Sequence, residues 1–291
     1  MMAISIEKIP GVKNKLGEGP VWDVAEKALY WIDGNAPAIY RLDPKTNNVK
    51  SWKMPKQIGS FAIREKGGAI CALSDGFYFL DFDSGNTTPV PNGIVAKPGT
   101  TFNDGKTDAR GRFIAGTLDT KFASPAGSVF SIDGSVKLSV IEPAIGCTNG
   151  PCFSPDNRTF YLSDSVTRTI YAYDYDLATG AVSNKREFVK VKGMGGVPDG
   201  ATVDAEGHLW SAIAGGGKLV CFNPDSTVAR TVEVPVPIVT SAMFGGENLD
   251  VLYATSIGMK TLNMEPGPDG GALFAINGLG VKGKPEPRFA G

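Results

Sequence analysis

The stretch GEGPVWDVAEKALYWIDGNAPAIYRLDP, residues 17–44, contains three short runs of strand-forming residues and two turns. GEGPVWD is the first run. ALYWID and AIYRLD follow as a pair joined through Gly-Asn, and the pair closes on Asp-Pro. Val, Ile, Tyr and Trp suit a pleated surface. Gly, Asn, Asp and Pro close the backbone locally, each by its own turn chemistry. The runs between turns are too short for helices and have the length of strands.

The same unit recurs along the chain. The paired runs return as AICALSDGFYFLDFD, as RFIAGTLDT with GSVFSIDG, as TFYLSDSVTRTIYAYDYD, as HLWSAIAGGGKLVCFNP, and as VLYATSI with GALFAING. Each is preceded by a first run: GSFAIRE, NDGKTDARG, NGPCFSPDN, DGATVDAEG and SAMFGGEN. Glu18, Ser60, Asn103, Asn149, Asp199 and Ser241 mark roughly equivalent positions, at steps of 42, 43, 46, 50 and 42 residues. A period of about 40–50 residues with several strands per unit is that of propeller blades. The expected fold is therefore all-β, a six-bladed β-propeller built from residues 1–291 as a single domain. Two stacked β-sandwiches are the alternative, but no Pro/Gly/Ser linker divides the chain.

Composition narrows the function. The net charge is −1 with both signs mixed along the 291 residues, so no basic face for nucleic acid is expected. No apolar run is long enough for a membrane span, and the first 20 residues lack the apolar core of a signal peptide. A cytoplasmic protein, monomeric or weakly homo-oligomeric, is expected. Cys71, Cys147, Cys152 and Cys221 form no C-x-x-C pair and read as small buried hydrophobes. Cys147 is placed near the candidate site without a role in it. Trp22, Trp31, Trp52 and Trp210 fall in strand patterns and are expected to pack between blades. No P-loop, dinucleotide fingerprint or G-x-S-x-G elbow is present, and AGGGKL at 214–219 reads as a hairpin turn.

In a propeller the first strand of each blade lines the channel, so equivalent positions converge on one axial point. Here those positions include Glu18, Asn103, Asn149 and Asp199, each beside Gly or Asp-Gly. Two carboxylates and two carboxamides offer oxygen ligands, which suit Ca²⁺, Mg²⁺ or Mn²⁺. Zn²⁺ and Fe²⁺ also accept carboxylates, so one divalent ion is expected without a choice among the five. The sole histidine, His208, falls at the hairpin beyond the far end of its strand and is set aside as a catalyst.

LGEGPVWD, FNDGKTDARGRFIAGT, TNGPCFSPDNRTFYLSD and PDGATVDAEGHLW resemble the SMP-30/gluconolactonase/regucalcin family, in order and over nearly the whole chain. The resemblance implies a six-bladed propeller with a divalent metal in its channel and hydrolysis of sugar lactones. It implies Glu18, Asn149 and Asp199 as metal ligands, Asp199 also as general base, and Asn103 as a substrate contact. Two positions depart from the family. Thr101 stands where an R-x-N-D pattern has arginine, and Lys121 takes a place that is acidic in some relatives, next to Asp119 in GTLDTKF. Thr101 and Lys121 are therefore substrate-binding candidates. The loss of an arginine fork and the gain of a cation point to a lactone with an anionic substituent, sulfonated or phosphorylated. A non-catalytic metal-binding regulatory propeller and an aryl-ester or organophosphate hydrolase are the competing readings.

Overall fold

The computed structural model describes residues 3–91, 95–261 and 263–291. Their 24 strands form six antiparallel four-stranded sheets. Strand β1 (Ser5–Lys8) stands apart from the first sheet. Blade one is β2 (Gly17–Asp23), β3 (Ala28–Asp33), β4 (Ala38–Asp43) and β5 (Asn48–Lys53). Blade two is β6 (Ile58–Ile63), β7 (Ala69–Leu73), β8 (Gly76–Leu80) and β9 (Thr87–Pro89). Blade three is β10 (Thr100–Thr107), β11 (Phe113–Asp119), β12 (Gly127–Ile132) and β13 (Leu138–Ile145). Blade four is β14 (Thr148–Phe153), β15 (Thr159–Asp164), β16 (Thr169–Asp176) and β17 (Ala181–Lys190). Blade five is β18 (Val197–Val203), β19 (Leu209–Ala214), β20 (Lys218–Phe222) and β21 (Val228–Glu233). Blade six is β22 (Val239–Gly245), β23 (Val251–Ser256) and β24 (Phe274–Asn277), completed by β1.

The innermost strands β2, β6, β10, β14, β18 and β22 contact one another in that order, and β22 contacts β2. The protein is thus a six-bladed β-propeller. The first and last strands close the ring. Ser5 pairs with Asn277 and Lys8 with Phe274, so the outer edge of blade six is covered by the N-terminal strand. Three runs were read in each unit, so the outermost strand of every blade, β1 included, is added by the structure. SIEK is four residues long and mostly exposed, too short to show a period.

Burial follows strand position. All six residues of β3 and all six of β19 are buried, because the middle strands are covered on both faces. They therefore read as continuous apolar runs. The outer strand β5 buries only Trp52. The apolar core lies between blades. Tyr30, Trp52 and Phe61 join blades one and two, and Phe77, Phe102, Phe113 and Phe130 join two and three. Trp210, Phe244 and Phe274 join five and six, and Trp22, Trp31 and Tyr253 join six and one. All four tryptophans and all four cysteines are buried, as expected.

The end of the ring where the innermost strands begin is called upper here. The lower end is crossed by residues 281–291. Arg288 pairs with Asp23 at 2.7 and 2.9 Å, and the Phe289 N–H donates to the Ile63 carbonyl. Inside the channel the Lys106 Nζ meets Glu286 at 3.1 Å, with both side chains largely buried. No helix among the described residues is long and apolar enough to cross a membrane.

Neighbouring innermost strands touch backbone to backbone. A Cβ on Gly59 would lie 2.5 Å from the Phe102 carbonyl oxygen and 2.6 Å from the Asn103 Cα. Gly59→Ala must push β10 away or strain β6. We expect it to cost about 1–3 kcal/mol, read as a lower urea midpoint at unchanged slope. An unchanged midpoint would show that the two strands are not in contact at this height.

Candidate functional site

Every innermost strand carries one extra residue near its upper end. In β2 the pairing steps from Glu18↔Ile32 to Val21↔Tyr30, so residues 19–20 face a single partner. The same step spans 103–104 in β10, 150–151 in β14 and 199–200 in β18. Such a bulge bends the strand and re-aims a side chain. Two versions occur. Glu18 and Asn149 come just before a Gly-Pro bulge, with Gly19 and Gly150 at φ 51° and 52°, a left-handed conformation that glycine adopts freely. Asn103 and Asp199 are themselves the first bulged residues. The equivalence read from the turn motifs is therefore offset by one residue between these pairs.

The bulges bring the four together. Asn103 donates from Nδ2 to Asn149 Oδ1 and to the Thr148 carbonyl, both at 2.8 Å. Asn149 donates from Nδ2 to Ser165 Oγ at 2.8 Å. Ser165 donates to the Pro198 carbonyl at 2.6 Å, next to Asp199. Asp104 accepts the Gly150 and Gly105 N–H groups, each at 2.8 Å, and so ties blade three to the Asn149 bulge. Ser165 and Asp104 were not singled out in the sequence. Their place directly after SD and within FNDG was the available signal.

Charge at the site is unbalanced. Burial pushes the Glu18 carboxyl well above its ordinary range, and the charges of Asp199 and then Asp104 push it further. Among the described residues the one opposing contact on Glu18 is the Gly19 N–H, at 3.3 Å. Asp199 is likewise raised well above its usual value, by burial and then by Asp104. Asp104 is raised less decisively, because two N–H groups and Lys106 oppose its burial. Among the described residues no Lys, Arg or His forms an ion pair with Glu18 or Asp199, whereas Lys106 is spent on Glu286.

This donor set fits a hard divalent cation. It offers two unneutralised carboxylates and carboxamide oxygen, and such cations take oxygen ligands. Cys147 lies 3.7 Å from Asn149 Nδ2 but is no soft anionic donor. Burial, and then the charge of Asp199, push its thiol up and keep it protonated.

The other candidates are more peripheral. Thr101 is half-buried and donates to the Ser74 carbonyl at 3.3 Å. Lys121 is exposed in the loop after β11, and its ammonium has no ion pair among the described residues. Asp119 beside it is spent on that loop, accepting from the backbone of Lys121, Ala123 and Ser124 and from the Ser124 hydroxyl.

His208 lies at the lower end, its Nδ1 3.0 Å from Asp204 Oδ2. Asp204, His208 and Cys221 are the one Asp/Glu/His/Cys group among the described residues whose ligand atoms lie within 4.8 Å of one another. Asp204 already accepts from the Glu206 and His208 N–H groups and the Trp210 indole as well. These contacts make the group a locked hairpin turn. A cleft of about 720 Å³ between blades one and two is also remote from the axial carboxylates. Lys50 and Arg64 lie over the Trp52 and Phe79 rings in it.

Fold and site together define a six-bladed propeller with an acidic, oxygen-lined centre at its upper axis. Residues 16–258 match the family model described as the SMP-30/gluconolactonase/LRE-like region, and the chain belongs to that family. It is 35% identical to regucalcin of Xenopus laevis, covering 100% of each chain. It is 37% identical over 280 residues to the 6-deoxy-6-sulfogluconolactonase of Pseudomonas putida, covering 95% of each. The crystal structure of a calcium-binding protein, regucalcin, from Agrobacterium tumefaciens superposes with a TM-score of 0.89 at 26% identity. That match covers 98% of this chain and 97% of the other.

The raised carboxyls give a pH signature. Without a cation, Glu18 and Asp199 hold their protons more tightly folded than unfolded. Their contribution to stability is therefore complete below the unfolded carboxylate range and is lost as pH rises through the raised folded values. We expect the melting temperature of chelated protein to fall over this rise more steeply than that of chelated Asp199→Asn. Parallel pH profiles would refute the coupling.

Proposed function

We propose that the protein is a divalent-metal-dependent lactonase that opens a sugar lactone to its sugar acid. The observation that carries this reading is the convergence of two half-buried, unneutralised carboxylates, Glu18 and Asp199, beside the Asn103–Asn149 pair. Family membership and a relative named as a sulfogluconolactonase support it. Glu18, Asn149 and Asp199 would hold the ion. A cation bound there supplies Lewis-acid polarisation of the lactone carbonyl and keeps both carboxylates ionised.

The chain's own residues do the rest. Ionised Asp199 takes a proton from the water that attacks the carbonyl carbon. The ring C–O bond then breaks, and the ring oxygen leaves as an alcohol with that proton. Asn103 has both Nδ2 hydrogens committed to Asn149 and Thr148, so it presents its Oδ1 as an acceptor for a substrate hydroxyl.

Within this class we propose a lactone carrying an anionic substituent. Lys121 is an exposed cation without an ion pair among the described residues, and Thr101 offers a hydroxyl in place of a charge. The relative at 37% identity is named for a sulfonated lactone.

A panel of neutral, sulfonated and phosphorylated lactones, read with a pH indicator, tests the reading on chelated protein resupplied with Ca²⁺, Mn²⁺, Mg²⁺, Zn²⁺ or Fe²⁺. Activity should vanish on chelation and return with an ion. Glu18→Gln and Asp199→Asn should each lower kcat/KM by about 10²-fold or more, whereas His208→Gln should leave it unchanged. Full activity after chelation would contradict the metal dependence. Saturable ion binding with no lactone opened would favour the regulatory propeller.

Lys121→Ala should raise KM for anionic lactones about two- to fivefold, the scale of one exposed ion pair, and leave neutral lactones unaffected. An equal effect on both would remove Lys121 from substrate recognition.

A further inference from the structure

We propose that Ser165 is a positioning residue that fixes which end of the Asn149 amide faces the channel axis and couples it to the strand carrying Asp199. The inference rests on the reading of Asn149 and Asp199 as cation ligands.

A proton count carries it. The Ser165 hydroxyl has one hydrogen. At 2.6 Å its neighbour is the Pro198 carbonyl, which can only accept, so the hydrogen goes there. Ser165 Oγ can then offer only lone pairs to Asn149, 2.8 Å away. The Asn149 group facing it must be the NH₂, and Oδ1 must point the other way. Asn103 confirms the sense from the opposite side. Its Nδ2 is fixed by the Thr148 carbonyl and donates to Asn149 Oδ1. A reversed amide would set two donor groups against each other and turn N–H groups toward a cation.

Ser165 is itself held in place. It directly follows β15, whose last residue, Asp164, accepts the N–H groups of Cys147, Gly146 and Val166. The Ser165 N–H donates to the Cys147 carbonyl at 3.4 Å. The hydroxyl therefore stands on a pinned turn between blades four and five. A shift of the Asn149 amide is passed to Pro198, and so toward Asp199, through the Ser165 oxygen. Outer partners of this kind orient the groups that touch a metal.

The test is calorimetric titration of chelated protein with Ca²⁺ and Mn²⁺. Ser165→Ala should weaken cation binding about tenfold, with the melting temperature of the chelated protein falling no further than two lost hydrogen bonds explain. Ser165→Thr, which keeps a hydroxyl, should bind nearly as the parent does. In the Asn149→Asp background both ends of the side chain are oxygen. Adding Ser165→Ala there should cost little further affinity. A parent that binds one ion while Ser165→Ala binds equally well overturns the proposal and leaves the metal reading intact. An equal loss in the Asn149 and Asn149→Asp backgrounds also overturns it, because the role would then not run through the amide. A parent that binds no ion overturns the metal reading and this proposal with it.

Discussion

Glu18 and Asp199 repel one another at the upper axis, and no cationic side chain among the described residues answers them. In water two such carboxylates would ionise independently. Half-buried and close together, each raises the cost of ionising the other. A fold that holds them together must admit a proton or a cation. The lower channel shows the contrast. There Lys106 meets Glu286 at 3.1 Å, and the C-terminal run that carries Glu286 is fastened to blades one, two and four. Charge is satisfied internally at one end of the channel and left unsatisfied at the other.

The propeller makes this possible because it separates stability from the site. Aromatic and aliphatic side chains fill the gaps between blades. The innermost strands are then free to carry polar residues on the axis. A bulge at the same height in all six of them re-aims those residues, at the cost of one ladder position per blade. Two bulges use Gly-Pro after the candidate residue, and two place the candidate residue in the bulge itself. The carboxamides join the blades laterally, through Asn103, Asn149, Ser165 and the Pro198 carbonyl.

Much of this was readable from the chain. Turn residues punctuate strands of regular length, so six units of about 40–50 residues stand out. Glu18, Asn103, Asn149 and Asp199 were legible because oxygen-bearing side chains beside glycine recur near the start of four units. The one-residue offset among them was not, since a bulge is a matter of pairing and leaves no period in the sequence. The outermost strand of each blade was not read, because such strands are largely exposed, as in β5 and β17, and β1 is only four residues long. Ser165 and Asp104 act across blade boundaries, and contacts 33 and 46 residues apart leave no local trace. The rarity of His208 draws attention, yet its ring serves a hairpin turn with Asp204.

The central claim is that one divalent ion sits among Glu18, Asn149 and Asp199. Crystals soaked in Mn²⁺ and measured at the manganese absorption edge test it most directly. The account predicts one strong anomalous peak, with oxygens of all three residues about 2.0–2.6 Å from it. No peak at the upper axis, or a sole peak at Asp204, His208 and Cys221, would contradict it.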